Sequence, residues 1–186
     1  MEFVAGQSYL LQADSGKGKS SLFAYIYGYR DDFEGEILFD DKRTPPVGSP
    51  EWDTIRQSRI GILFQDLKIF PELTALENIE LKNRLQAYKS EAEIDDMLRC
   101  LEISDKSRQP CGKLSWGQQQ RVAIIRALCQ PFDFLLLDEP ISHIDDRMAR
   151  IVAELIAEEV ASRQAAVVVS SIGKELPMTY DNILNL

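Results

Sequence analysis

A loop rich in glycine, lysine and serine holds the residues best suited to bind phosphate. It spans residues 13–21 (ADSGKGKSS), between a predicted strand at 8–12 and a helical pattern at 22–29. Glycines let backbone N–H groups turn towards an anion, and a helix N-terminus adds partial positive charge. Lys19 can reach the outer phosphates, and the Ser20 hydroxyl can bind Mg²⁺. The loop therefore predicts a triphosphate site.

This loop departs from the pattern G-x-x-x-x-G-K-[ST] at its first position, which is Ala13. If that position needs a positive φ, alanine costs about 1 kcal/mol. Several charge-assisted contacts remain, and Lys17 adds a positive charge that offsets the change. The alternative is a surface turn before an ordinary helix.

Two carboxylates end a strongly apolar segment at residues 134–140 (FLLLDEP). Asp138 at the strand tip can hold Mg²⁺ through water, and Glu139 can polarise an attacking water. The alternative is a solvated acidic turn after a core strand. The phosphate loop upstream favours the catalytic interpretation.

The segment 114–121 (LSWGQQQR) precedes an apolar helical pattern at 122–128. Ser115 and Gln118 have the spacing of a capping box, which starts a helix. The same geometry presents a hydroxyl, a glycine backbone and a helix N-terminus to an anion. Capping and phosphate binding are therefore compatible here.

The elements that position these residues alternate between strands and helices. Strands are predicted at 8–12, 36–40, 59–64, 132–137, 165–170 and 182–186, and the longest helical pattern at 145–163. This alternation predicts a mostly parallel sheet covered on both faces, with ligands at the carboxyl ends of its strands. Residues 74–103 instead read as successive helices with two capping boxes, Thr74 to Glu77 and Ser90 to Glu93, which predicts an inserted helical subdomain.

Composition limits the class of partner. The 186 residues carry a formal net charge of −9, which argues against nucleic-acid binding.

The three cysteines form no C-x-x-C pair, so a reduced, intracellular setting is the simplest interpretation. No apolar run approaches the ~18 residues of a membrane span, and residues 1–11 do not resemble a signal peptide.

Five motifs taken in order resemble those of ABC-type ATPases: the loop at 13–21, Gln65, LSWGQQQR, LLLDEP and the segment 142–145 (SHID). Residues 61–81 look most like the ATP-binding subunits of lipoprotein-release, macrolide-efflux and cell-division systems. The resemblance implies an α/β P-loop NTPase core at 1–65 and 114–186, a helical subdomain at 66–113, and a reduced N-terminal antiparallel portion.

The resemblance also implies that two ATPase subunits, as a homodimer or a heterodimer, meet head to tail around ATP and Mg²⁺ and drive a transmembrane permease from the cytoplasmic face of the membrane. Glu139 would be the base, with Lys19 and Gln65 also catalytic, and Ser20, Gln65 and Asp138 at the metal. Asp145 would help to join the two sites. The nucleotide contacts would be Asp14, Ser15, Gly16, Lys17, Gly18, Lys19, Ser20, Ser21, Gln65, Ser115, Gly117, Gln118 and Asp145.

Departures from the family pattern affect the expected rate and selectivity. Ser171 stands where the family has a switch histidine, which predicts slow hydrolysis because a hydroxyl cannot carry the imidazole's charge. Trp116 replaces a glycine, and it either restricts close backbone approach or stacks at the dimer interface. The family's adenine-stacking aromatic is expected to be absent upstream, with Tyr9 in the core, so adenine selectivity should be weak.

Three functions are compared. The leading hypothesis is an ATP-hydrolysing transport subunit, because Lys19, Gln65, Asp138 and Glu139 are all present. A degenerate ATP-binding subunit that dimerises or regulates is the main alternative, favoured by Trp116 and Ser171. A soluble ABC ATPase acting on DNA or ribosomes fits the acidic charge least.

Other conspicuous residues receive structural interpretations. His143 is interpreted as a polar loop residue, and Glu154, Glu158 and Glu159 as a solvated helix face.

Overall fold

The computed structural model describes residues 1–12 and 18–186. Its strands are β1 (Ser8–Gln12), β2 (Leu38–Phe39), β3 (Lys42–Arg43), β4 (Ile60–Leu63), β5 (Phe134–Asp138), β6 (Ala166–Ser171) and β7 (Asn182–Asn185). Its α-helices are α1 (Lys19–Ile26), α2 (Glu51–Ser58), α3 (Ala75–Gln86), α4 (Glu91–Cys100), α5 (Trp116–Leu128) and α6 (Asp146–Arg163), with short 3₁₀ turns at Ser104–Lys106 and Cys111–Lys113.

The main sheet has five strands in the order β4-β5-β6-β1-β7, and every neighbouring pair is parallel. The predicted, mostly parallel sheet is therefore confirmed. β2 and β3 form a separate antiparallel pair, and β2 is shorter than the predicted strand at 36–40. Because the strands are parallel, β1, β4, β5 and β6 all deliver their following loops to one edge of the sheet.

Alternate residues of the strands enter two apolar layers, as the two-residue period of a strand requires. Leu135, Leu137 and Val167 pack with α5 and α6 on one face. Leu136 and Val168 pack with α1 and α2 on the other. Because both faces are covered, β5 and β6 are continuous apolar runs rather than alternating ones.

The region between the fourth and fifth strands is helical, and its helices begin where their capping residues predict. The Thr74 hydroxyl accepts from the Glu77 N–H at 3.2 Å, while the Glu77 carboxylate accepts from the Thr74 N–H at 2.8 Å. Ser90 and Glu93 repeat the arrangement at α4. α3 then packs along α5. No helix in the described ranges is long and apolar enough to cross a membrane.

Two features of the fold differ from the sequence interpretation. The helix α2 was not individually predicted, although it buries Trp52 under the sheet. Glu159 does not lie on a solvated face, since its side chain is only 12% exposed and pairs with Lys89 at 2.9 Å and with Arg163. Its neighbour Glu158 is exposed, as expected. The difference arises because the turn between α3 and α4 folds back over the end of α6.

Candidate functional site

The carboxyl edge of the sheet gathers the predicted catalytic side chains. β1 leads towards the phosphate loop and α1, β4 leads to Gln65, and β5 ends at Asp138, directly before Glu139. β6 ends beside them at Ser171. The predicted residues Ala13, Asp14, Ser15, Gly16 and Lys17 lie outside the described residues.

The first turn of α1 begins at a glycine that the backbone requires. Gly18 has φ +95°, in the left-handed region, although a Cβ there would meet no atom of the described residues within 4 Å. Conformation rather than space therefore favours glycine. Lys19 follows and is only 5% exposed, while Ser20 is exposed and the Ser21 hydroxyl accepts from the Arg30 guanidinium at 3.2 Å.

Asp138 is held at the tip of β5 by its neighbour on β6. The two strands pair Asp138 with Ser170, and the Ser170 hydroxyl donates to Asp138 Oδ1. The Glu139 N–H in turn donates to the Ser170 carbonyl at 3.2 Å. Asp138 is 4% exposed, so its carboxylate is fixed in a protected position.

Glu139 lies in the left-handed region with φ +50°, a conformation that costs a non-glycine residue of order 1 kcal/mol. Gln65 Nε2 donates to its Oε1 at 3.2 Å. Burial, followed by the charge of Asp138, raises the pKa of Glu139, while Lys19 and His143 act in the opposite direction. A carboxyl group with a raised pKa is better suited to accept a proton from water than an ordinary exposed carboxylate.

Gln120 holds the loop that follows Glu139 and was missed in the sequence analysis. Its side chain is 1% exposed, donates to the Glu139 carbonyl at 2.9 Å and to Ser142 Oγ at 3.3 Å, and accepts from the His143 N–H at 3.1 Å. A polar residue one turn before Ile124, on the apolar face of α5, was the available signal.

The tip of α5 packs against the same loop. Ser115 caps the helix by accepting from the Gln118 N–H at 3.3 Å, so the predicted capping box is confirmed. A Cβ on Gly117 would stand 2.6 Å from the His143 carbonyl oxygen, so only glycine fits this approach. Trp116 is 45% exposed, with its ring edge-on to His143 at 5.6 Å. The tip thus leaves Ser115 and the Trp116 ring exposed.

Among known protein families, a family model described as ABC transporter matches residues 1–142 of this chain. The chain belongs to the ABC transporter ATP-binding family. It is 32% identical over 185 residues to the lipoprotein-releasing system ATP-binding protein LolD 2 of Rhodopseudomonas palustris, covering 98% of this chain and 80% of that protein. An uncharacterized ABC transporter ATP-binding protein of Mycobacterium tuberculosis is 30% identical, and the chain spans 57% of its length.

Solved structures give the same fold. The dimeric, post-hydrolysis structure of the ATP-binding cassette MJ0796 bound to ADP and Pi superimposes with a TM-score of 0.80 at 30% identity. The match covers 92% of this chain and 77% of that one. The predicted ABC ATPase fold is therefore confirmed, including a small antiparallel sheet beside the parallel one.

Two further positions of this ABC cassette lie on adjoining loops. Asp145 caps α6 by accepting from the Met148 N–H at 2.9 Å, and backbone hydrogen bonds hold its pKa low. The Ser171 hydroxyl donates to the Lys174 carbonyl at 2.7 Å. Lys174 extends back to the other loop, donating to the Ile144 carbonyl and pairing with Asp146 at 3.0 Å. The loops after β5 and β6 are thereby joined.

The donor set at the sheet edge fits Mg²⁺ bound together with a triphosphate. Asp138, Gln65 and Ser20 offer only oxygen ligands, which Mg²⁺ prefers. Within residues 1–12 and 18–186 no group of three His, Cys, Asp or Glu side chains could hold a metal alone. A Mg²⁺ site that takes most of its ligands from phosphates and water agrees with that finding.

Proposed function

We propose that this chain is an ATP-hydrolysing subunit of a membrane transport system and that it dimerises around ATP and Mg²⁺. The observation that supports this most is the gathering of Lys19, Gln65, Asp138 and Glu139 at one edge of the sheet. Lys19 and Asp138 are both buried, and the Gln65 amide contacts the Glu139 carboxylate. Family membership makes ATP the expected substrate of such a site.

Each side chain has a proposed part in the reaction. Lys19 and the first turn of α1, with Ser20 and Ser21, hold the outer phosphates together with residues 14–18. Mg²⁺, when bound beside Ser20, Gln65 and Asp138, supplies charge neutralisation to the phosphates. Glu139 accepts a proton from the attacking water, which Gln65 helps to orient.

A second copy of the chain completes the site in this proposal. Its Ser115, Gly117 and Gln118 close over the γ-phosphate, and Asp145 lies where the two sites join. The tip of α5 supports this, because Ser115 and Trp116 are exposed there. The related cassette solved as a dimer with ADP and Pi gives a precedent. ATP binding then favours the closed dimer and hydrolysis releases it.

The helical region 66–113 is proposed as a subdomain that contacts a transmembrane permease, and the core as residues 1–65 and 114–186. The name of the Rhodopseudomonas relative, a lipoprotein-releasing system ATP-binding protein, suggests a subunit held by its partner on the inner face of the cell membrane. Nucleic acid is not a proposed partner, given a net charge of −9.

Hydrolysis is proposed to be slow. The Ser171 hydroxyl is already engaged by the Lys174 carbonyl, and a serine is shorter than the histidine common in the family. It therefore supplies no charge near the γ-phosphate.

The test is phosphate release from Mg-ATP by the full chain. Glu139→Gln should lower turnover by about 10²-fold or more, because the amide cannot accept the proton. Glu154→Gln, on the exposed side of α6, is the matched control and should keep the wild-type rate. Equal rates for wild type and Glu139→Gln would reject hydrolysis at this site and favour a degenerate, binding-only subunit.

A further inference from the structure

The backbone of Glu139 is hydrogen-bonded to two different elements of the fold. Its N–H donates to the Ser170 carbonyl of β6 at 3.2 Å, and its carbonyl accepts from the Gln120 amide of α5 at 2.9 Å. The Ser142 N–H also donates to this carbonyl, at the longer distance of 3.3 Å. Gln120 therefore supplies the shorter of these two hydrogen bonds to the Glu139 carbonyl.

The conformation of Glu139 makes this support necessary. Its φ of +50° lies in the left-handed region, where a residue other than glycine stays only if its surroundings fix it. Because the side chain leaves the same Cα, the hydrogen bonds to the N–H and the carbonyl also limit where the carboxylate can lie. Gln65, which donates to that carboxylate at 3.2 Å, then meets it at a defined position.

Gln120 uses both atoms of its amide group on the same loop. Its nitrogen also donates to Ser142 Oγ at 3.3 Å, and its oxygen accepts from the His143 N–H at 3.1 Å. Exchanging nitrogen and oxygen would place carbonyl against carbonyl and N–H against N–H, so only one orientation satisfies these partners. The side chain is buried, where an unpaired amide would be costly. Its position is therefore well determined.

α5 contacts the loop at a second point. Gly117 lies one turn before Gln120 on the same flank of the helix, and a Cβ there would stand 2.6 Å from the His143 carbonyl oxygen. The backbone of His143 thus contacts α5 through its N–H and through its carbonyl. The helix itself is anchored in the core by buried residues such as Val122 and Ile124. A packed helix, rather than another loop, therefore sets the position of the turn after Glu139.

We propose that Gln120 is a positioning residue for ATP hydrolysis, which holds the Glu139 carbonyl and thereby keeps the Glu139 carboxylate where it accepts a proton from the attacking water. The proposal rests on the proposed function, since it takes Glu139 as the base. Among the described residues, the Gln120 side chain hydrogen-bonds to backbone groups and one hydroxyl, so it acts on geometry and not on charge. Its loss should slow the chemical step and leave nucleotide binding unchanged.

The test is Gln120→Met, which keeps the length of the side chain and removes its hydrogen bonds. Phosphate release by the full chain should show a kcat lower by about 10- to 100-fold, because a displacement of about 1 Å at a catalytic group has an effect of that order. The Kd for a non-hydrolysable ATP analogue should stay at the wild-type value. Gln120→Asn, whose amide is one methylene shorter, is a second variant with the same expected loss.

Gln130→Met is the matched control. Gln130 is a buried glutamine of the same kind, whose amide donates to the Arg56 and Ile60 carbonyls at 3.1 and 2.8 Å. It lies at the opposite edge of the sheet, where β4 begins. Its replacement removes a similar pair of buried hydrogen bonds far from Glu139, so it should keep the wild-type kcat. Circular dichroism verifies the fold of every variant.

A double-mutant cycle separates positioning from a general structural role. In the Glu139→Gln background, Gln120→Met should cause little further loss of kcat, since the residue that it positions no longer acts as a base. A residue that only supports the fold would lower the rate by the same factor in both backgrounds. Hydrogen exchange without nucleotide follows the loop directly. The His143 amide should exchange faster in Gln120→Met, because it loses its acceptor.

Three results would overturn the proposal. The first is a wild-type kcat in Gln120→Met although the His143 amide exchanges faster. The others are an equal loss of kcat in Gln130→Met, and an equal loss in both backgrounds of the cycle. Failure of the proposed function gives a different result, because Glu139→Gln itself would then release phosphate at the wild-type rate. Faster exchange at His143 would in that case show the contact without a part in hydrolysis.

Discussion

At the residue scale, the surroundings of Glu139 act on its pKa in opposite directions. Asp138 and burial favour its protonated form, while Lys19 and His143 favour the carboxylate, and the Gln65 amide donates to it. His143 is the one neighbour among these that the sequence indicates to be a polar loop residue without a part in the reaction. It is also the only histidine of the chain. Its contribution can therefore be tested separately.

Replacing His143 with asparagine should move the acid limb of the pH–rate profile to higher pH. His143 lowers the pKa of Glu139, so its loss raises that pKa further, and the base is ionised only at higher pH. The measurement is phosphate release at saturating Mg-ATP across the acid range. Arg150→Gln, which removes an exposed positive charge from α6, should leave the profile unchanged. A limb that moves to lower pH would contradict this assignment.

Trp116 offers a second test at this scale. Trp116→Gly should increase the nucleotide-dependent dimer, because the exposed ring stands at the tip of α5 where the second copy is proposed to approach. The cost in folding stability should stay near 1 kcal/mol or below, the ordinary effect of glycine in a helix. Light scattering of the Glu139→Gln background with Mg-ATP measures the dimer, and Trp116→Phe is the aromatic control. A weaker dimer with glycine would mean that the ring itself makes the contact.

At the scale of elements, a charged network joins α6 to the turn between α3 and α4. The Lys89 and Glu159 side chains are both 12% exposed and lie 2.9 Å apart. Arg163, whose side chain is 8% exposed, pairs with Glu159, donates to the Tyr88 hydroxyl at 2.9 Å and lies over the Phe132 ring. Glu159 is thus the shared anion of two sheltered cations.

Glu159→Gln should lower the free energy of unfolding by about 3 kcal/mol, because the sheltered Arg163 loses its carboxylate partner and Lys89 keeps only its pairing with Glu93. Urea denaturation measures the change. Glu158→Gln, on the neighbouring exposed position, should stay within about 0.5 kcal/mol of wild type. Equal effects of the two substitutions would show that the network contributes nothing beyond a surface charge.

The same network marks the limit of prediction from sequence. The five strands of the main sheet, the capping boxes at Thr74, Ser90 and Ser115 and the ABC fold follow from local patterns, so they could be predicted. Gln120 and Glu159 could not, because a polar side chain in a helix reveals its partners only when distant segments meet. Along the sequence, Ser142 and His143 lie 22 and 23 residues from Gln120. Lys89 lies 70 residues from Glu159.

At the scale of the whole molecule, nucleotide binding should stabilise the fold. A ligand at a hundredfold excess over its Kd adds about 2.7 kcal/mol, which corresponds to a rise of about 5–10 °C in Tm for a domain of this size. Scanning fluorimetry of the wild type with Mg-ATP should give that rise, and Lys19→Met should lose it. In the Glu139→Gln variant the rise should also grow with protein concentration, since ligand binding is coupled to dimerisation. An equal rise in Lys19→Met would place the nucleotide elsewhere.

The position of β1 inside the sheet has a consequence for synthesis on the ribosome. Its two neighbours are β6, which begins at Ala166, and β7, which begins at Asn182. β1 is therefore translated before both of its neighbours and waits, unpaired, while β2–β5 and α1–α6 are made. Such distant pairing slows folding and leaves open strand edges in the interim. A nascent chain that stalls before residue 166 would lack β6, the middle strand of the sheet, and β7. It would therefore be exposed to chaperones and proteases before it could bind a second subunit.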